Sequence, residues 1–160
     1  MGKINDTLNA ITGRLKPKTV VIHTDGACRG NPGPGGWGAL LNFDGHTKTM
    51  RGAARMTTNN RMELQAAIKA LGALRRPCRV VLYTDSQYLR NGVTQWIDKW
   101  KRTNWRNSDR KPVKNRDQWE ALDELRERHE ITWHWVRGHD GNPGNEQADR
   151  LANRAIDELR

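Results

Sequence analysis

A chain of 160 residues is long enough for one domain with its own core, without disulfide or metal staples. Its 28 Lys and Arg against 18 Asp and Glu leave a net charge of +10, which points to a polyanionic partner: nucleic acid, an anionic membrane or an acidic protein. Seven tryptophans, and no apolar run near the ~18 residues of a membrane span, favour nucleic acid. The two cysteines, Cys28 and Cys78, form no CxxC and argue against zinc or a disulfide framework. With no apolar leader legible near the N-terminus, a cytoplasmic protein is the expectation.

Residues 1–18 read as a short basic extension, and the domain proper as 19–160. Ile4, Leu8, Ile11 and Leu15 make a helical stripe, with Gly13 and Pro17 marking a short helix that stops there. A docked helix and a frayed tail both remain open. The first strand, 19–26, ends in the carboxylate of Asp25. A loop rich in Gly and Pro follows, then a second strand, 36–43. Asp44-Gly45 turns the chain into a third, Thr47 to Gly52. Thr57-Thr58-Asn59-Asn60 supplies cap chemistry for a helix running to about Leu74, with Asn60 and Glu63 at capping-box spacing. Met62, Ala66, Ala67, Ala70, Leu71 and Leu74 mark its buried face, and Glu63 lies on that inward side.

Arg79 to Thr84 is a fourth strand with Asp85 at its end, repeating the Thr-Asp construction of Thr24-Asp25. In open α/β sheets, the C-terminal edge of the strands is where ligands bind. Ser86 begins a helix expected to stop at Asn91-Gly92. Residues 93–116 differ in character: Trp96, Trp100 and Trp105 interleave with eight bases against the two acids Asp98 and Asp109. A helix from Asp117 to His129, a strand from Ile131 to Val136, a Gly-rich loop over 137–146 and a helix from about Asn145 to Arg160 complete a mixed α/β pattern.

Asp25, Glu63, Asp85 and Asp149 stand at element ends or inner faces beside apolar residues, whereas acids such as Asp117, Glu120 and Glu124 fall on an exposed helix. Converging carboxylates repel one another unless cations neutralise them. Oxygen ligands with open water positions suit Mg²⁺ or Mn²⁺, and two such ions ~3.5–4 Å apart stabilise attacking and leaving oxygens in phosphoryl transfer.

TDGACRGNPGPGGWGALL, TTNNRMEL, YTDSQYL, TQWIDKWKRTNW, KPVKN and WHWVRGHDGNPGNEQAD, in this order over about residues 19–159, resemble the bacterial type 1 ribonuclease H family. The resemblance implies a ribonuclease H-like fold: a five-stranded mixed sheet in order 3-2-1-4-5 flanked by helices. It implies an endonuclease that hydrolyses the RNA strand of RNA–DNA hybrids to 5′-phosphate and 3′-hydroxyl ends, acting as a monomer with two Mg²⁺ ions, or Mn²⁺ in their place. By motif, Asp25, Glu63, Asp85 and Asp149 resemble the metal ligands, Asp25 as the bridging acid and Asp149 on the nucleophile side. His139 resembles a histidine credited with proton transfer or product release, for which a near-neutral pKa fits. Glu146 is divided between supporting the site and complementing a helix N-terminus.

Segment 93–116 resembles a basic substrate-binding handle, with Lys101, Arg102 and Arg106 for phosphates and Trp96, Trp100 and Trp105 for sugars or bases. Packing alone is the other reading of the tryptophans. Asn31, Asn59 and Asn60 resemble positions near RNA 2′-hydroxyls, and Thr58 and Asn115 a pocket for a DNA-strand phosphate. Relatives carry an arginine in that pocket where this chain has Met56, with Arg55 beside it. The rival from another class is a non-catalytic hybrid- or duplex-binding module, against which four intact acids argue.

Overall fold

The computed structural model describes residues 19–137 and 141–159. The extension 1–18 and His139 lie outside them. Five strands, β1 (Thr19–Cys28), β2 (Gly33–Phe43), β3 (His46–Thr57), β4 (Arg79–Thr84) and β5 (Glu130–Trp135), form one sheet in the order β3-β2-β1-β4-β5, as the resemblance implied. β1 runs antiparallel to β2 and parallel to β4, and β5 is parallel to β4. The helices are α1 (Asn59–Gly72), α2 (Gln87–Asn91), α3 (Ile97–Arg102), α4 (Arg116–Arg128) and α5 (Pro143–Asp157).

Side chains alternate along a strand, so β1 buries Val20, Ile22 and Thr24, and β4 buries Val80, Leu82 and Thr84. Their apolar members meet Leu64 and Leu71 of α1 and the fully buried Trp119 and Leu122 of α4 in the main core. Each such Leu or Ile contributes about 1.5–3 kcal/mol when taken out of water. α5 lies against β1, β2 and β3 instead.

The hairpin differs from expectation. Asp44 (φ 53°) and Gly45 (φ 82°) make the Asp-Gly turn, but β2 starts at Gly33 and β3 continues to Thr57. Gly33 and Gly35, expected in the loop, are strand residues at close approaches, and Gly38, inside the expected strand, is another. A Cβ on Gly38 would stand 2.3 Å from the Ala148 carbonyl oxygen and 2.7 Å from Leu151 Cβ, so α5 is seated on bare backbone. Between Gly33↔Thr57 and Gly35↔Ala54 the register slips, placing a bulge at Arg55 and Met56.

At α1 the capping-box expectation fails. Thr58 is the cap, its Oγ1 accepting from Arg61 N at 3.2 Å, while Asn60 lies inside the helix and Glu63 is buried. The helix closes at Gly72, not Leu74. α2 does not stop at Gly92. A wider-wound turn, 92–96, in which Gly92 O accepts from Ile97 N, carries the chain without a break into α3. Gly92 is there for space, since a Cβ would come 1.9 Å from the Trp119 ring.

Gly38→Ala is expected to overpack the α5 seat and destabilise the fold by about 1–3 kcal/mol, read as a lower urea midpoint at unchanged slope. Retention of the parent midpoint would contradict the seat.

Candidate active site

The register that pairs Ile22 with Leu82 and His23 with Tyr83 brings Asp25 and Asp85, two residues on, to one edge of the sheet. Glu63 arrives from above. α1 crosses β1 at Gly26, where a Cβ would lie 2.5 Å from Glu63 N, so only glycine permits this approach. Gly26 N–H in turn donates to the Glu63 carboxylate. One oxygen each from Asp25, Glu63 and Asp85 fall within 4.8 Å of one another. Asp149, one face of α5, completes the group through a side-chain hydrogen bond with Asp25.

Asp25 and Glu63 are only 7% and 5% exposed. Burial first, then the charge of Asp85 and the hydrogen bond that protonated Asp25 donates to Asp149, push the Asp25 carboxyl up to about 9. Burial, then Asp25 and Asp85, hold Glu63 well above the usual carboxylate range. Glu63 Oε1 is buried with no hydrogen-bond partner. An orphaned acceptor among converging carboxylates fits a hard divalent cation, whose ligands are oxygens.

Beside the acids is a cavity of about 30 Å³ lined by Asp25, Asp85, Arg137, Asn142, Asn145, Glu146 and Asp149. Asn142 caps α5, its Oδ1 accepting from Asn145 N at 3.1 Å. Glu146 both lines the cavity and sits in the first turn of α5, so its two sequence readings coincide in space. Arg137 and Asn145 were missed by sequence reasoning. Asn145 precedes Asp149 by four residues and shares its helix face, a signal that was available. Arg137 carries none beyond following β5.

The other expected residues divide. Asn31, Thr58, Asn59 and Asn60 gather at the start of α1, where Asn59 N donates to Asn31 Oδ1 at 3.0 Å. Asn115 adopts φ 59° and is engaged on both sides: Oδ1 accepts from Arg61 Nη1 at 3.0 Å, and Nδ2 donates to the Tyr88 hydroxyl at 2.9 Å. Arg61 also pairs with Asp117.

In the handle, the rings of Trp96 and Trp100 lie 5.8 Å apart, those of Trp100 and Trp105 6.2 Å apart, and Trp96 and Trp100 both touch buried Trp119. The tryptophans are therefore partly core. Lys101 does not project freely but pairs with Asp123 at 3.2 Å and Glu127 at 2.9 Å on α4. Arg102 is exposed, and exposed Arg106 donates to Arg110 O.

The RNase H family model matches residues 17–157. A protein named Ribonuclease H from Nitrosococcus oceani is 64% identical over 137 residues, 86% of this chain and 93% of that one. Another of the same name, from Hydrogenovibrio crunogenus, is 61% identical over 140 residues, covering 88% and 97%. Among solved structures, LC9-RNase H1, described as a type 1 RNase H with the type 2 active-site motif, superposes with TM-score 0.79 at 33% identity over 88% of this chain and 73% of that one. The N-terminal RNase H domain of a Mycobacterium tuberculosis protein gives 0.65 at 31% identity, over 88% and 94%.

The raised carboxyl pKa values have a stability consequence. With Asp25 at 3.8 when unfolded and about 9 when folded, the folded state holds a proton that the unfolded chain has released. Without divalent cations, the stability contributed by this retained proton is full below pH about 4 and is lost as pH rises toward about 9. Asp25→Asn is expected to flatten that decline and raise Tm at neutral pH in EDTA, while Mg²⁺ raises the parent's Tm. Thermal melts across this range check it; an unchanged pH slope in the variant would remove repulsion from the site.

Proposed function

Because this chain belongs to the RNase H family, we propose that it hydrolyses the RNA strand of RNA–DNA hybrids, leaving 5′-phosphate and 3′-hydroxyl ends. One observation carries this reading: four carboxylates from β1, α1, α5 and the end of β4 surround one largely buried point at a sheet edge. A module that only bound hybrids would retain the cost of burying these acids and gain nothing from it.

Asp25, Glu63, Asp85 and Asp149 are the proposed ligands of two Mg²⁺ ions, with Mn²⁺ able to replace them. Bound ions would supply Lewis-acid stabilisation of phosphate oxygens and ease deprotonation of the attacking water. Asp25 would be the acid held in common by the ions, since it interacts with both Asp85 and Asp149 and lies beside Glu63. Arg137, the one basic residue among the described residues lining the cavity, orients the scissile phosphate. His139 moves a proton or aids product release.

At the start of α1, Asn31, Asn59 and Asn60 test for 2′-hydroxyls. Thr58 and Asn115 bound the phosphate pocket, with Arg61, which donates to Asn115, and Arg55, in the bulge three residues before Thr58, as candidate cations. Trp96, Trp100, Trp105, Arg102 and Arg106 receive the duplex on the handle, whereas Lys101 mainly ties α3 to α4. Every proposed ligand comes from one chain, which suits a monomer. Two free cysteines suit a reducing cytoplasm, and among the described residues no helix is long and apolar enough to cross a membrane.

Cleavage of a labelled RNA–DNA hybrid beside RNA–RNA and DNA–DNA duplexes, with and without Mg²⁺, tests the reading. Activity confined to the hybrid and to metal is expected, and Asp25→Asn should abolish it while keeping hybrid binding. His139→Ala should slow turnover without stopping it, and an unchanged rate across pH 6–9 would end its proton role. Neutralising Arg102 and Arg106 together should raise KM and lessen its salt dependence. A fall confined to kcat would contradict the handle.

A further inference from the structure

We propose that His23 is a positioning residue for Asp149, acting through Asn145. The inference rests on the assignment of Asp149 to the catalytic acids. His23 precedes Asp25 by two residues on β1 and so shares its face. Its Nδ1 lies 2.9 Å from Asn145 Oδ1, while Asn145 Nδ2 faces the Thr24 carbonyl at 3.5 Å. Turning the Asn145 amide over would set oxygen against oxygen at Thr24, so Nδ1 carries the proton and donates to Oδ1. The backbone N–H of Asn145 is held by the Asn142 cap. Asn145 is thus fixed from three directions, one helical turn before Asp149.

The ring itself is a platform. At Gly144 an added Cβ would come within 2.5 Å of three His23 ring atoms, so the first turn of α5 rests on the imidazole face. That ring cannot tilt freely. Tyr83 stacks on it at 4.8 Å and 10°, and His134 stacks on Tyr83 at 5.1 Å and 21°. The spacing is that of neighbouring strands, because His23 pairs with Tyr83 and Tyr83 with His134 across three parallel strands. Gly36 and Gly38 seat the later turns of α5 on β2. His23 sets the height of its first turn, and thereby where the Asp149 carboxylate stands against Asp25.

The test compares His23→Phe, which keeps a ring but loses the donor, with His23→Asn, whose amide nitrogen replaces Nδ1. Both are made alone and with Asn145→Ala. Readouts are kcat and KM on a hybrid, Mn²⁺ binding by calorimetry without substrate, and Tm. His23→Phe is expected to lower kcat about tenfold at nearly constant KM and to weaken Mn²⁺ binding several-fold, with His23→Asn recovering most of both. Adding Asn145→Ala to His23→Phe should cost less than about twofold more, since the two act as one unit. Parent-like kcat and Mn²⁺ binding in His23→Phe, a loss seen in Tm alone, or independent multiplying losses in the double variant would overturn the proposal. A parent inactive on hybrids would instead defeat the functional reading, leaving Mn²⁺ binding to judge His23.

Discussion

Mutual repulsion among buried carboxylates is the constraint around which this molecule is arranged. Asp25 and Glu63 sit where water cannot screen them, and Asp85 and Asp149 add to the field. A proton kept on Asp25 and shared with Asp149 relieves only part of this repulsion, so the fold must hold the acids together by other means. It does so with backbone contact. Gly26 lets α1 touch β1, Gly38 lets α5 settle on β2, and the parallel pairing of β1 with β4 aligns two strand ends. The apolar core beneath supplies the free energy that the acids withdraw. Stability and reactivity are opposed here, as they are wherever a site stores electrostatic strain.

Much of this was visible in the chain. Thr24-Asp25 and Thr84-Asp85 announced two strand ends at one edge, and Glu63 betrayed itself by lying on the apolar side of α1. The strand order followed from the family resemblance, with alternation and hairpin chemistry agreeing. What sequence logic misjudged has a common cause. Glycine has several uses, and local pattern cannot tell them apart. Gly33 and Gly35 look like a turn but belong to a strand, Gly35 lying close to Thr57 and to Met62 of α1. Gly92 looks like a stop but makes room for Trp119. Asn60 and Glu63 had capping-box spacing, yet Thr58 caps the helix and the buried site claims Glu63.

Side-chain partners were less legible still, because they depend on elements distant in sequence. Lys101 read as a phosphate ligand, and no local pattern signalled that α4 would set Asp123 and Glu127 against it. Asn115 read as a pocket residue, yet its amide also joins Arg61 to Tyr88. Surface lysines and amides have many available partners, and single-sequence periodicity does not choose among them. The buried acids had few, which is why they could be singled out first.

The unbroken passage from α2 into α3 has one more consequence. The helical run starts at Gln87, two residues after Asp85, and ends at Arg102 among the handle's bases. At 1.5 Å per residue its contour is about 24 Å. It therefore fixes, without an intervening loop, the distance between the strand end that carries Asp85 and the bases around Arg102, a spacing set by a helix that a glycine kept from ending.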